Sequence, residues 1–198
     1  VNWEKHEHHH EEHGHKHEEH HEHHHDECKL DGHLWLNPNN AIAMTKKIAE
    51  ELAKAYPLHQ QRFFENAQAQ ILAIQEKDKE TKNKFLNLEQ KNFIVFHDAY
   101  QYFEDYYGVN ASGSITIDPS ISASAKRVKE IKDKISKLDV KCIFKEPVYN
   151  QKLVDIIKEK KDIKTITLDP EGASFNECKN LYLQIMDNIS NGMQECFR

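Results

Sequence analysis

No stretch of this 198-residue chain approaches the roughly 20 consecutive apolar residues that a membrane-spanning helix needs. The chain is therefore not expected to span a membrane. Its first residues, VNWEKH, have neither the basic start nor the apolar core of a secretory leader, as in a mature or truncated chain, so they give no cellular address. A formal net charge of -6 argues against nucleic acid as a partner, because phosphate binding needs basic patches. The four cysteines, Cys28, Cys142, Cys178 and Cys196, include no CxxC pair. That excludes a zinc ribbon and a thioredoxin-like motif and leaves the pairing of the thiols open. HExxH, GxSxG and a glycine-rich phosphate loop are all absent, so hydrolytic chemistry has little support.

What the chain has in excess is histidine: fifteen in all, twelve of them between His6 and His25. The stretch EKHEHHHEEHGHKHEEHHEHHHDEC (4–28) holds almost nothing apolar. Such a segment cannot bury enough surface to offset its ordering entropy, and residues 1–29 are expected to be disordered. Neutral imidazoles at high local concentration bind divalent metal weakly and reversibly, and interleaved glutamates attract cations. On this reading His6, His8, His9, His10, His13, His15, His17, His20, His21, His23, His24 and His25 form an auxiliary, low-affinity metal-binding set.

Order is expected from LDGHLWLNP onward. Asn37 followed by Pro38 is a helix-start signal, a capping side chain before a proline at the first helical position. Ile42, Met44, Ile48, Leu52 and Ala55 then supply an apolar stripe, and Pro57 ends or kinks the helix. From Leu58 to Leu88 there is neither Pro nor Gly, and Phe64, Ala67, Ile71, Ile74, Thr81, Phe85 and Leu88 keep helical spacing. This predicts one amphipathic helix of about 30 residues, roughly 45 Å long, a strut between two lobes. Beyond it, short apolar runs alternate with helical patterns. The runs NFIVF (92–96), SITI (114–117), VKCIF (140–144) and KTITL (164–168) read as strands. Helices are expected between them, one of them capped by Asn150, with a last helix over about 176–196. Alternation with short connections implies parallel βαβ units, an α/β fold with a sheet covered on both faces.

In open parallel sheets ligands bind beyond the carboxyl ends of the strands. His97 and Asp98 directly follow NFIVF, Asp169 and Pro170 follow TITL, and Glu146 lies one residue past VKCIF. With His33 from another segment, these would make a borderline-hard metal site suited to zinc or manganese; no thiolate favours copper(I). Taken singly, a histidine after a strand is more often a hydrogen-bonded structural residue, and Asp-Pro and Glu-Pro are common turn openers. His59, near the start of the long helix, is expected to be solvated. Nothing marks a catalytic zinc with an open position and a nearby base, so binding is favoured over catalysis.

DGHLWLNP, FIVFHDAYQYFE, CIFKEPVYN and TLDPEG occur in this order and at this spacing. In these motifs the chain resembles the ZnuA-type, zinc-binding members of the metal-specific (cluster A-I) periplasmic solute-binding proteins of ABC transporters. The resemblance runs nearly end to end. It implies a two-lobe α/β metal-receptor fold whose parallel sheets are joined by one long helix, with metal held in the cleft between the lobes. It also implies Zn2+ as the transported ligand in preference to Mn2+, delivery to an ABC-transporter membrane permease, and no enzymatic activity. A periplasmic address follows, with a signal peptide expected upstream, and a monomer is expected. Matched by motif, His33 would be a ligand from the first lobe, His97 a ligand from the second, and Asp169 a carboxylate completing the site. Cys142 and Cys196 match a disulfide of several zinc-type members; Cys28 and Cys178 have no such counterpart.

One departure is large. Family members carry a further histidine ligand in a first βαβ segment that precedes the histidine-rich loop, and this chain begins at that loop. The expected organisation is a disordered His/Glu-rich metal-binding loop (1–29), a remnant of the N-terminal lobe (30–57), the inter-lobe helix (58–90) and a C-terminal α/β lobe (91–198), so the first lobe is incomplete. Two other functions fit parts of the sequence: a zinc buffer or storage protein acting through the histidine run, and a zinc-dependent hydrolase.

Overall fold

A computed structural model of the chain describes residues 31–116, 123–149, 151–159 and 161–198. The disorder expected over 1–29, the metal-collecting role of its histidines and the Asn150 cap lie outside the described residues. At Asn37 the start signal operates as expected. Its side chain accepts the Asn39 N–H at 2.9 Å, and Pro38 takes the first position of helix α1 (Pro38–Ala55). Pro57 opens a single 3-10 turn, and helix α2 (Gln60–Phe85) follows. At 26 residues α2 is about 39 Å long. It buries Ile71, Ile74 and Thr81 and packs against both α1 and the last helix, α6 (Leu181–Phe197).

The α1 stripe is only partly covered. The residues of α1 that are buried are Pro38 and the small Ala41, Ala49 and Ala53, which let α2 approach closely. Ile48 is 56% exposed and Leu52 37% exposed. With Phe63 of α2 they line an open groove of about 770 Å³. The periodicity identified an apolar face correctly, but no described element covers it.

Four parallel strands form one sheet in the order β2-β1-β3-β4. They are β1 (Phe93–His97), β2 (Ser114–Thr116), β3 (Cys142–Lys145) and β4 (Lys164–Thr167). Strand β1 is buried at all five positions, as a central strand covered on both faces requires. Its side chains alternate between two cores. Phe93 and Val95 pack with Leu36, Phe103 of α3 (Gln101–Tyr107) and Ile189 and Met193 of α6. Ile94 and Phe96 pack with Ile131 and Ile135 of α4 (Ala125–Lys137) and Val154 and Ile157 of α5 (Gln151–Lys158). This is the α/β class with a parallel sheet that the alternating pattern predicted.

Two features fasten α6. A disulfide joins Cys142 of β3 to Cys196 of α6, the pair implied by the family resemblance. Two lysines of α2 also converge on Asp187: Lys77 at 3.0 Å and Lys84 at 3.5 Å, with Lys84 reaching Asn191 at 2.8 Å. Cys178 is a free, exposed thiol. Among the described residues no helix is long and apolar enough to cross a membrane.

Candidate metal centre

The carboxyl ends of β1, β3 and β4 bring His97, Glu146 and Asp169 to one sheet edge. His97 closes β1 and is 3% exposed. Its Nδ1 lies 2.8 Å from Glu146 Oε1 and 2.7 Å from Oε2, and the Glu146 carboxylate is itself buried. An imidazole held this way carries its proton on Nδ1 and presents the lone pair of Nε2. His33 arrives from the turn before the 3-10 segment Leu34–Leu36, whose Leu36 is fully buried in the core. It repeats the arrangement: its Nδ1 lies 2.7 Å from Asp31 Oδ1, which also accepts the His33 backbone N–H at 3.0 Å.

The two free Nε2 atoms face each other at 3.5 Å. Two lone pairs cannot hydrogen-bond to each other, so the pair is electrostatically unfavourable unless something positive lies between them. Zinc–nitrogen bonds of about 2.0–2.1 Å at a tetrahedral angle place two nitrogens about 3.3–3.4 Å apart. The observed spacing therefore needs almost no adjustment to receive the ion. Glu171 Oε1 lies 3.9 Å from His33 Nε2. Among the described residues, His33, His97 and Glu171 form the one group of three His, Cys, Asp or Glu side chains whose ligand atoms all lie within 4.8 Å of one another.

Asp169 occupies the edge where the strand pattern put it, but its oxygens have other partners. Oδ1 accepts the N–H groups of Gly172 at 2.9 Å and Ala173 at 3.0 Å. Oδ2 accepts the Ser174 N–H at 2.7 Å and the Ser174 hydroxyl at 2.5 Å. The side chain thus folds a tight turn, with Gly172 in the left-handed region at φ 78°, and Glu171 is carried on that turn. Glu171 went unread in the sequence although it stands inside TLDPEG. An Asp followed by a loop of small and turn-forming residues signals a side chain that bonds backbone N–H groups ahead of it. His59 is exposed, as expected.

The surroundings are acidic. Tyr100, buried beneath the site, has its phenol pushed well above the usual range, first by burial and then by Glu146 and Asp169. Glu104 of α3 is pushed up to about 7, again mainly by burial, with Asp98, Asp105 and Asp31 acting in the same direction. A pocket edge lined by one sign of charge raises the local concentration of cations.

The parallel sheet and this cluster together define a class: α/β proteins whose sheet edge gathers imidazole and carboxylate donors in the geometry of a divalent-cation site. The family described as zinc-uptake complex component A, periplasmic (ZnuA), matches residues 2–196, and the chain belongs to it. The high-affinity zinc uptake system protein ZnuA of Brucella abortus is 38% identical over 166 residues, which cover 84% of this chain and 50% of that protein. The chain thus spans about half the length of the curated relatives it matches. Among solved structures, the laminin-binding adhesin Lmb of Streptococcus agalactiae, a mutant form, superposes with a TM-score of 0.74 at 27% identity. That match covers 85% of this chain and 63% of the adhesin chain. A Zn(II)-bound mutant variant of AdcAII from Streptococcus pneumoniae gives 0.70 at 27% identity, over 85% of this chain and 63% of that one.

Proposed function

We propose that this chain is the zinc-holding part of a substrate-binding component of an ABC zinc importer, capturing Zn2+ and delivering it to a membrane permease. One observation carries the reading: two imidazole Nε2 atoms 3.5 Å apart, each ring fixed through Nδ1 by its own carboxylate. His33 and His97 are the imidazole ligands and Glu171 supplies the carboxylate. Asp169, the carboxylate expected from the motif, acts by holding the turn that bears Glu171. Two nitrogen donors and one oxygen donor, with a position left for water or a further residue, suit zinc better than manganese, which prefers an all-oxygen shell. The domain organisation follows the resemblance. Residues 30–57 belong to a first lobe, 58–90 hold the strut, and 91–198, the sheet with its helices, are the second lobe. The histidine run collects metal nearby, and the chain works as a periplasmic monomer that binds rather than catalyses. Zinc uptake is also what the names of the relatives state of those proteins.

The test is a zinc titration in competition with a chelator of known affinity, which reads the tight site and ignores weak ones. His97→Ala should abolish tight binding, and deletion of residues 4–27 should leave it in place. If tight binding disappears with the deletion and survives His97→Ala, the protein is a buffer working through its histidine run, and the receptor reading fails.

A further inference from the structure

Glu171 is half exposed, with 49% of its side chain open to solvent, so packing does not aim it at the histidines. Its direction must come from the backbone on either side. On the downstream side Asp169 binds the N–H groups of residues 172 to 174. A side chain at Gly172 would be strained, because its φ is 78° and a Cβ would stand 2.9 Å from Ile185 Cδ1. On the upstream side, the peptide plane joining Pro170 to Glu171 is held by a residue from the other end of the chain. Trp35 donates its Nε1–H to Pro170 O at 3.0 Å across a separation of 135 residues.

Trp35 is itself fixed. Its own carbonyl accepts the Tyr182 hydroxyl at 3.1 Å, and its ring meets the His33 ring edge-on with centroids 5.3 Å apart. Leu36 beside it is fully buried. One indole therefore touches the His33 ring and also holds the peptide plane that orients Glu171. The two segments it connects have no covalent reason to keep a constant distance.

We propose that Trp35 is a positioning residue for the metal centre: its indole N–H, clipped to the Pro170 carbonyl, sets where the Glu171 carboxylate stands relative to His33. This rests on the metal reading above. The ring contact with His33 survives in a Phe variant, whereas the indole N–H reaches the site only through the Pro170–Glu171 peptide, which makes the proposal separable from a general packing role. Loss of a hydrogen bond that supports a metal ligand lowers affinity by about tenfold.

The experiment is a double-mutant cycle on the full 198-residue chain, with zinc affinity read by chelator competition for the chain, Trp35→Phe, Glu171→Gln and the double variant. Trp35→Phe keeps the ring and removes the donor, and should weaken zinc binding about tenfold. In the Glu171→Gln background the same change should have almost no further effect. Equal losses in both backgrounds, or no loss in the first, overturn the proposal. Should Trp35→Phe fail to fold, a Trp3→Phe variant leaves one indole for NMR. Its Nε1–H resonance should shift on filling the tight site, and clearly less with Glu171→Gln, which leaves only the His33 ring contact; a resonance that ignores zinc, or a shift unchanged by Glu171→Gln, overturns the proposal. His97→Ala separates the two readings. If it leaves tight binding intact, the receptor reading falls and the positioning role with it. If it abolishes binding while Trp35→Phe is silent, only the positioning role falls.

Discussion

Glu104 should make the fold less stable as the solution becomes more alkaline, and replacing it should remove that penalty. The carboxyl sits on α3 with Oε1 buried and unpartnered among the described residues. Burial raises it from 4.5 to about 7, and only the Ala111 N–H pulls the other way. A carboxyl whose folded-state value is raised holds its proton more tightly in the native than in the unfolded chain. The native state therefore binds more protons over the interval between those values. Stability is fully retained below about 4.5, falls as pH rises through that interval, and levels off above about 7. At about 1.36 kcal/mol per unit the ceiling is about 3 kcal/mol. Partial exposure of the side chain reduces the expected effect to about 1–2 kcal/mol. Glu104→Gln stays neutral at every pH and can still accept the Ala111 N–H. Urea unfolding at pH 5 and pH 8.5, with metal chelated so that zinc does not add its own stabilisation, should show the variant gaining about 1–2 kcal/mol over the parent between the two conditions. Histidine protonation is common to both proteins and cancels in the difference. A gap that is the same at both pH values, or a variant less stable than the parent at pH 8.5, would refute the reasoning.

Two further outcomes follow from the packing and the site. Gly192→Ala should destabilise the fold by about 1–3 kcal/mol in urea unfolding, since its Cβ would stand 2.4 Å from Leu168 Cδ2 and 3.2 Å from Ile166 Cγ2 where α6 crosses β4. Glu146→Gln should leave the fold intact and weaken zinc binding about tenfold in chelator competition, because an amide holds the His97 Nδ1–H without its charge. Unchanged zinc affinity there would mean that Glu146 does not tune the ring.

Local sequence carried the sheet well. NFIVF is a continuous apolar run because β1 is covered on both faces, and its order with VKCIF and KTITL reproduced the parallel layout. His97 was legible because a residue at the end of a parallel strand must lie at the ligand edge. The Cys142–Cys196 bridge was legible only through resemblance, as nothing in the spacing of four cysteines selects a pair. The α1 stripe shows the limit of periodicity, which reveals which face of a helix is apolar and is silent on what meets it: Ile48 and Leu52 lie on that face and are exposed. Asp169 and Glu171 show a second limit. The strand rule places a residue at an edge to within one or two positions. The turn that Asp169 folds with its own oxygens then decides which carboxylate faces the histidines. Asp31, the partner of the His33 ring, was passed over because its bond is local and carries no periodic signature.

The paired lysine links between α2 and α6 have a mechanical consequence. Lys77 and Lys84 stand about two turns apart on α2 and bear on the same carboxylate of a neighbour that a disulfide pins to the sheet. Rotation of α2 about its own axis against α6 would have to break both links together.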